Sequence, residues 1–222
     1  MTRQTTEIHA VIFDMDGVLT NSEPLITAAA IQMFKEKGLT VQSDDFLPFI
    51  GTGEERYLGG VAEKYHFSLD AAAGKQRTYE IYLGFVPSQL EEFPGVHELI
   101  SRCRKASLRL AVASSADRIK VVANLEKIKL PLESWDAVVT GENVLNKKPA
   151  PDIFLLAARD LGVSPKYCSV VEDAPNGIQA AKAAGMRAVA VAQTLPADRL
   201  READVVREKI SDLKLSDLVS EK

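Results

Sequence analysis

The sequence predicts a doubly wound α/β fold, with a mostly parallel sheet and an all-α domain inserted after the first strand. After residue 90, short aliphatic runs alternate with amphipathic helical patterns, which is typical of right-handed βαβ units. Residues 23–86 break that alternation and show helical patterns alone. Acidic, hydroxyl or lysine side chains follow four of the predicted strands, at the edge where ligands bind in such sheets.

The predicted sheet begins with the apolar run 10–14, which ends on a carboxylate, and the later strands are rich in small and β-branched residues. The helix predicted at 151–162 has proline in its first turn and glycine at its end, as helices often do. The pattern indicates a Rossmann-like sheet of about six strands. Strands are predicted at 10–14, 108–114, 135–141, 168–173, 187–193 and 203–208, and helices at 95–106, 118–128, 151–162 and 177–186.

The inserted segment is predicted to be a small helical bundle. One helix is expected from Glu23 to Gly38, a helix, glycine-rich turn and second helix within 44–65, and a last helix at 69–86.

Polar junctions flank this bundle and are its expected hinges, since hinged lids commonly exclude water from a reaction. The junctions are residues 20–23 and 87–95. We therefore expect an α/β core domain made of residues 1–20 and 90–222 and a helical cap domain made of residues 21–89.

The composition limits the partners. The chain has 222 residues, 46% of them hydrophobic and 26% charged, and a formal net charge of -4. No basic cluster indicates nucleic acid or an anionic membrane, and no run is long enough to span a bilayer. Cys103 and Cys168 lie within apolar patterns, so both are expected to be small buried hydrophobic residues in a reducing compartment. We expect a cytoplasmic monomer, or a plastid protein if a transit peptide is removed.

Reactive side chains follow four predicted strands. Taken singly, each has a plain structural explanation, since serines after strands are usually helix N-caps and acids there are often loop residues. Together they would converge, because the carboxyl ends of parallel strands share one edge. The residues are Asp14 and Asp16 after the first strand, Ser114 and Ser115 after the second, Lys148 after the third, and Glu172 and Asp173 after the fourth.

Converging carboxylates require a cation, because they repel one another and lose solvation when buried. Oxygen ligands favour Mg²⁺ over zinc, and none of His9, His66 or His97 has ligand spacing. With Mg²⁺, a lysine and hydroxyls, such a crevice suits a phosphoryl group, and a carboxylate can then act as nucleophile.

Four segments that carry these residues resemble the four motifs of the haloacid dehalogenase superfamily, in order and over nearly the whole chain. They are FDMDGVLTNSE (13–23), AVASSA (111–116), KKPAPDIF (147–154) and VVEDAPNGIQAAKAAGM (170–186). The resemblance is to the branch with a helical cap, which contains β-phosphoglucomutase-like and phosphoglycolate-phosphatase-like proteins. It implies a Mg²⁺-dependent phosphatase that hydrolyses a small phosphorylated metabolite through an aspartyl-phosphate intermediate.

The resemblance also implies a role for each residue. Asp14 would be the nucleophile, and Asp16 would protonate the leaving alcohol and later activate water. Ser114 and the backbone amides around Ser115 would bind the phosphoryl oxygens, while Lys148 would neutralise Asp14 and the transferring group. The implied Mg²⁺ ligands are the Asp14 carboxylate, the Asp16 backbone carbonyl and Asp173, with Glu172 acting through water or as a support.

The cap is where substrate choice is expected, and there the chain departs from β-phosphoglucomutases. A histidine that assists acid–base chemistry in those caps aligns with Ile26. An arginine and a lysine that bind the second phosphate align with Glu54 and Thr78, so both of these cationic side chains are missing here. Hydrolysis of a monophosphate is therefore favoured, with a phosphosugar mutase as the alternative. Gly51 and Glu54 of the loop 51–56 are expected to bind substrate, although a glycine turn before an acidic helix start explains them equally well.

Two non-enzymatic alternatives stand beside the phosphatase. A response-regulator receiver also gathers acids, a hydroxyl and a Lys-Pro pair, but its acids precede the lysine, whereas Glu172 and Asp173 follow Lys148. A regulatory domain that keeps the fold and metal site, yet binds a metabolite or partner with little turnover, is the second alternative.

Overall fold

The computed structural model describes residues 8–50 and 52–219. Within them lie the strands β1 (Ala10–Phe13), β2 (Arg109–Ala113), β3 (Ala137–Val139), β4 (Cys168–Glu172), β5 (Arg187–Val191) and β6 (Val205–Arg207). These form one sheet in the order β3-β2-β1-β4-β5-β6, and each neighbouring pair is parallel. The predicted Rossmann-like fold is confirmed, with a described sheet that is parallel throughout.

The strand order reverses at β1, which lies between β2 and β4. Phe13 stands beside Val112 of β2 and Val171 of β4. This register brings the carboxyl ends of the three strands to one level, so that Asp14, which follows β1, lies beside Glu172, the last residue of β4. Parallel α/β sheets bind ligands at such a switch point.

A helical layer occupies the chain between β1 and β2, and its helices lie where the sequence predicts them. Its apolar residues form a cluster of their own, which includes Phe34, Phe46, Tyr57 and Tyr82. The apolar residues of these helices therefore pack mainly against one another. The elements are α1 (Glu23–Glu36), a 3-10 helix (Ser43–Phe49), α2 (Glu54–Lys64) and α3 (Ala71–Gln89).

The two connections between this layer and the sheet run side by side. Thr20 forms an antiparallel bridge with Glu92, and the Asn21 N–H donates to the Glu91 carbonyl at 2.9 Å. The predicted junctions therefore meet in a short two-stranded ribbon. The domain boundaries themselves stay a prediction.

Helices cover both faces of the sheet. α4, α5 and α8 pack on the face that carries Val11 and Phe13, while α6 and α7 pack on the face that carries Ala10 and Ile12. The five-residue α8 was not predicted, since so short a segment has no clear helical period. These helices are α4 (Val96–Lys105), α5 (Arg118–Lys127), α6 (Asp152–Leu161), α7 (Pro175–Ala183) and α8 (Leu215–Val219).

The predictions about cysteine burial and about membrane-spanning segments can also be compared with the structure. Cys103 and Cys168 are both free and buried, as predicted, and burial raises the pKa of each thiol to about 11. Among the residues that the structure describes, no helix is both long and apolar enough to cross a bilayer.

Candidate active site

A cavity lies between the helical layer and the carboxyl edge of the sheet. Its volume of about 50 Å³ is small beside the roughly 300–1,000 Å³ of typical ligand pockets, so little room remains between the layer and the sheet edge. Gly51, also predicted to bind substrate, lies outside the described residues. The cavity is lined by the other predicted site residues: Asp14, Asp16, Glu54, Ser114, Ser115, Lys148, Glu172 and Asp173.

Four of these side chains, Asp14, Lys148, Glu172 and Asp173, are called the nucleophile cluster here, after the role predicted for Asp14. Lys148 Nζ lies 2.5 Å from Asp14 Oδ1 and 2.6 Å from Glu172 Oε1. All four residues are buried, and none is more than 6% exposed. Buried charges persist only when they are paired, so a single ammonium holds both carboxylates in place.

Glu172 is fixed on its other side by the main chain. Its Oε2 accepts the N–H groups of Asp173 at 2.8 Å and Ala174 at 2.9 Å. A Cβ on Gly177 would lie 1.7 Å from Glu172 Oε1, so only glycine lets α7 come this close. Because protein donors already occupy both oxygens, the contacts favour the supporting role for Glu172 over that of a direct metal ligand.

Burial changes the acidity of this cluster. Desolvation raises the pKa of Asp14 to about 8, with Glu172 and Asp16 adding to the rise and Lys148 opposing it. Burial, Glu172 and Asp14 together raise the pKa of Asp173 well above its usual range. An additional positive charge would favour the ionised forms of both aspartates.

The cluster fits a magnesium ion by its charge and donor chemistry. Its three carboxylates and one ammonium leave two negative charges unbalanced when all are ionised, which matches one divalent cation. Asp173 accepts a hydrogen bond from the Thr194 hydroxyl, and no described lysine or arginine forms an ion pair with it. In the described chain no three acidic, histidine or cysteine side chains converge as metal ligands. Main-chain oxygen and water would therefore complete the shell, as is usual for Mg²⁺.

Two serines after β2 line the same cavity as Lys148. Ser114 is 1% exposed, and its Oγ accepts the Ala116 N–H at 3.1 Å. Ser115 Oγ is buried and has no hydrogen-bond partner among the described residues. A buried hydroxyl without a partner costs about 1–3 kcal/mol, so this position favours a ligand with hydrogen-bonding oxygens.

A second group of charges, the cap-side cluster, also lines the cavity and consists of Asp16, Glu23, Glu54 and Lys120. Lys120 on α5 is 2% exposed. Its Nζ lies 2.9 Å from Asp16 Oδ2 and 3.3 Å from Glu54 Oε1. Because Glu54 begins α2, this ion pair joins the helical layer to the sheet domain.

Asp16 is held by both layers. Its Oδ1 accepts the Ser22 hydroxyl and lies 3.5 Å from Asn124 Nδ2. The side-chain amide oxygen Oδ1 of Asn124 accepts a hydrogen bond from the hydroxyl of Tyr82, on α3, at 2.7 Å. Lys120 Nζ lies 5.4 Å from the Tyr82 ring centre. The orientation of the Asp16 carboxylate therefore depends on how α3 sits against α5.

Glu23, Lys120 and Asn124 were not among the site residues predicted from the sequence. A signal existed on α5, whose buried positions include Lys120 and Asn124 beside Val121 and Leu125. A lysine among buried helix positions is rare unless an acid pairs with it. Glu23 gave no such signal, since an acid in a first helical turn is common on ordinary surfaces.

The three cap positions at which this chain differs from β-phosphoglucomutases lie in different parts of the structure. Ile26 and Glu54 line the cavity. Thr78 lies inside the helical layer, where its hydroxyl donates to the Gly74 carbonyl at 2.9 Å. Neither Ile26 nor Glu54 supplies a cation to the cavity.

The fold and site together define a class: capped, doubly wound α/β enzymes with a lysine-paired aspartate at the switch point of the sheet. A family model described as haloacid dehalogenase-like hydrolase matches residues 11–191, and the chain belongs to that family. This agrees with the resemblance seen in the four motifs.

Three known proteins show the extent of the similarity. The chain is 48% identical over 219 residues to Protein SUPPRESSOR OF QUENCHING 1, chloroplastic, of Arabidopsis thaliana, an alignment that covers 96% of this chain but 21% of that protein. It is 32% identical over 182 residues to the Phosphorylated carbohydrates phosphatase of Thermotoga maritima, covering 82% and 84% of the two chains. The crystal structure of CbbY from Rhodobacter sphaeroides in complex with phosphate matches with a TM-score of 0.85 and 28% identity, covering 95% and 99%.

Proposed function

We propose that this chain is a Mg²⁺-dependent phosphatase that hydrolyses a small phosphorylated metabolite through an aspartyl-phosphate on Asp14. One observation carries the proposal: Asp14, paired with Lys148 at 2.5 Å, lines one small cavity together with Ser114, Ser115 and Asp16. Membership of the family and the similarity to a phosphatase of phosphorylated carbohydrates support it.

In the first step, an Asp14 carboxylate oxygen attacks phosphorus and the bond between phosphorus and the leaving-group oxygen breaks. Asp16 donates a proton to that oxygen, so the leaving group departs as a neutral alcohol. The two aspartates can take different roles because different partners hold them, Lys148 for Asp14 and Lys120 for Asp16.

In the second step, water attacks the phosphorus of the aspartyl-phosphate. Asp16 accepts the proton of that water, and the bond between phosphorus and Asp14 breaks. Inorganic phosphate leaves, and both carboxyl groups return to their starting states.

The surrounding groups stabilise the charge on the transferring phosphoryl group. Lys148 would neutralise it from one side, while Ser114 and Ser115 would donate hydrogen bonds to its oxygens. Mg²⁺, bound by Asp14, the Asp16 carbonyl and Asp173, would supply electrostatic stabilisation of the phosphoryl oxygens.

Substrate entry requires the helical layer to move, because the cavity of about 50 Å³ is too small for a phosphorylated metabolite. We propose that residues 21–89 act as a cap that hinges at the paired connections near Thr20 and Glu92. Closure then excludes water other than the reacting molecule. Identical X-ray scattering profiles with and without a bound substrate would count against this motion.

The alternative enzyme is a phosphosugar mutase, which must hold a bisphosphate intermediate at both ends. Ile26 and Glu54 stand in the cavity where a mutase would need cations. Hydrolysis of a monophosphate is therefore the better supported reaction.

The compartment and the assembly state belong to the proposal as well. Similarity to a protein named as chloroplastic supports a plastid location over a cytoplasmic one. We propose a monomer without nucleic-acid or membrane partners, in keeping with the net charge of -4. Imaging of a fluorescent fusion and light scattering of the purified protein test these points.

The decisive experiment measures Mg²⁺-dependent phosphate release from sugar phosphates, phosphoglycolate, nucleotides and acyclic phosphate esters. Asp14→Asn removes the nucleophile while keeping its shape, so turnover should fall at least about a thousandfold. Asp44→Asn, at an exposed position of the helical layer, is the matched control and should keep parental activity. Activity that survives in Asp14→Asn refutes the mechanism, and an inactive parent that still binds Mg²⁺ would favour the regulatory binding domain.

A further inference from the structure

The cap-side cluster faces whatever the phosphoryl group is attached to. Building on the proposed phosphatase function, we infer that this cluster selects monophosphates of uncharged polyhydroxylated compounds and rejects substrates that carry a second phosphate or a carboxylate. Glu23 and Glu54 are then the residues that set this specificity.

Charge is the first argument. Three carboxyl groups, those of Asp16, Glu23 and Glu54, surround the single ammonium of Lys120. When Asp16 carries the proton that it gives to the leaving group, the acids Glu23 and Glu54 still outnumber that ammonium. That ammonium already contacts Asp16 and Glu54, and no described cation forms an ion pair with Glu23. A second anionic group on the substrate would therefore enter a region of negative potential without a partner of its own.

A second anionic group on the substrate would affect the ionisation of Glu23. Its enclosure in the cavity raises its pKa to about 7; Lys120 opposes this rise, while Asp16 and Glu54 reinforce it. Near neutral pH it is therefore partly ionised, and a nearby substrate anion would compete with its charge. At higher pH the carboxylate is fully ionised and the repulsion is greater.

Hydrogen bonding and shape are the second argument. Carboxylates accept hydrogen bonds from hydroxyl groups, and Glu23 and Glu54 line the same cavity as the apolar side chains of Ile26 and Phe49. A Cβ on Gly60 would lie 2.3 Å from the Phe49 ring, so α2 packs closely behind that ring. Acceptors beside an apolar wall match a polyol, which has hydroxyl donors along its edge and C–H groups on its face.

A cationic leaving group would also be attracted by carboxylates, but Lys120 argues against it. This lysine is 2% exposed and its ammonium is fixed within the cluster. A second ammonium would approach it in a medium of low dielectric, where like charges repel strongly. A neutral polyol avoids both conflicts.

The test measures binding, so that it does not depend on turnover. Calorimetry with the Asp14→Asn protein and Mg²⁺ compares fructose 1-phosphate with fructose 1,6-bisphosphate, and glycerol 3-phosphate with 3-phosphoglycerate and phosphoethanolamine. In each series the neutral monophosphate should bind most tightly. In the same Asp14→Asn background, Glu23→Gln should lower the ratio of the affinity for fructose 1-phosphate to that for the bisphosphate by roughly tenfold, since it removes a nearby charge.

Glu55→Gln is the matched control. Glu55 neighbours Glu54 but is exposed and pairs with Lys75 at 3.0 Å, so the preference should stay unchanged. Phosphate esters keep their charge between about pH 7 and pH 9. Over this range the preference for fructose 1-phosphate over the bisphosphate should grow in the Asp14→Asn protein that retains Glu23. It should stay constant when Glu23→Gln is added. The charged or titratable groups that influence Glu23 or are influenced by it are Lys120, Asp16, Glu54, Tyr57 and Asp173.

The outcomes separate this inference from the proposed function. If the parent releases no phosphate while Asp14→Asn still shows the Glu23-dependent preference, the phosphatase proposal fails and the specificity stands. If the parent is an active phosphatase but the bisphosphate binds as tightly as the monophosphate, or Glu23→Gln leaves the preference unchanged, the specificity is refuted. Tightest binding of phosphoethanolamine also refutes it, in favour of a cationic leaving group.

Discussion

The nucleophile cluster and the cap-side cluster contain the same groups, three carboxylates and one buried lysine, yet they are held together differently. In the first, Lys148, Asp14 and Glu172 all belong to the sheet domain, and Glu172 is tied to main-chain N–H groups. In the second, Lys120 on α5 reaches Glu54 on α2, across the boundary with the helical layer.

With the proposed movement of the helical layer, this difference would separate a fixed site from one that is assembled on closure. The contacts of Lys148 do not involve the helical layer, so we expect the nucleophile to stay in place whether that layer is open or closed. If the layer moves as proposed, the contact between Lys120 and Glu54 would form only on closure. The surroundings of Asp16 would thus change with closure while those of Asp14 would not, which ties proton transfer to the exclusion of water.

The largest effect is expected from Lys148→Met. This change leaves Asp14 and Glu172 as neighbouring buried carboxylates without a cation and removes a donor to the phosphoryl group. Turnover should fall by about a hundredfold to a thousandfold, and the free energy of unfolding should drop by roughly 3–5 kcal/mol. Phosphate release corrected for the folded fraction, together with urea denaturation, measures both effects.

Lys147→Met is the control for that change, because Lys147 is adjacent in sequence but donates to the Gly141 carbonyl instead of a carboxylate. It should stay within a few-fold of the parent. Equal losses in the two variants would mean that the nucleophile cluster does not depend on its lysine, and the contrast between the clusters would then be unfounded.

A smaller effect is expected from Lys120→Met, which keeps most of the volume and apolar contact of the side chain. Asp16 then loses a fixed partner and Glu54 loses its anchor, so kcat should fall about tenfold to a hundredfold while KM changes little. Steady-state kinetics on the best substrate measure the two constants separately.

Arg118→Met tests whether any cation on α5 would matter. Arg118 is exposed in the first turn of the same helix, and its loss should leave kcat near the parental value. A kcat for Lys120→Met within twofold of the parent would show that the cap-side cluster does not position Asp16.

The same comparison shows what could be predicted from the sequence. Asp14 and Ser114 directly follow strands and Glu172 ends one, and parallel register alone brings strand ends together. Their meeting was predictable because it depends on local sequence and one general rule of α/β sheets. The six strands were found for the same reason, since each has its own apolar run.

The cap-side cluster could not be found in this way. Lys120 and Glu54 belong to helices whose mutual position depends on how an inserted layer packs, which no local pattern specifies. The period of α5 could have shown that Lys120 points inward, but not that Glu54 and Asp16 would meet it. Contacts between the helical layer and the sheet domain are therefore the part of the site that required the structure.

The smallest expected effect, from Gly177→Ala, tests how rigid the nucleophile cluster is. The new Cβ would collide with Glu172 Oε1 at 1.7 Å, so either α7 or the carboxylate must shift. We expect a loss of about 1–3 kcal/mol of stability and a loss of activity of roughly tenfold, because a displaced Glu172 weakens its contact with Lys148.

Gly84→Ala is the matched control, since Gly84 is exposed on α3 and its Cβ would meet nothing within 4 Å. Alanine there should stabilise the protein by about 0.5–1 kcal/mol through helix propensity alone and leave activity unchanged. Thermal unfolding and phosphate release on both variants make the comparison. If Gly177→Ala matches Gly84→Ala in both stability and activity, α7 shifts without displacing Glu172. The nucleophile cluster would then not be rigid, and it would not differ in this respect from the cap-side cluster.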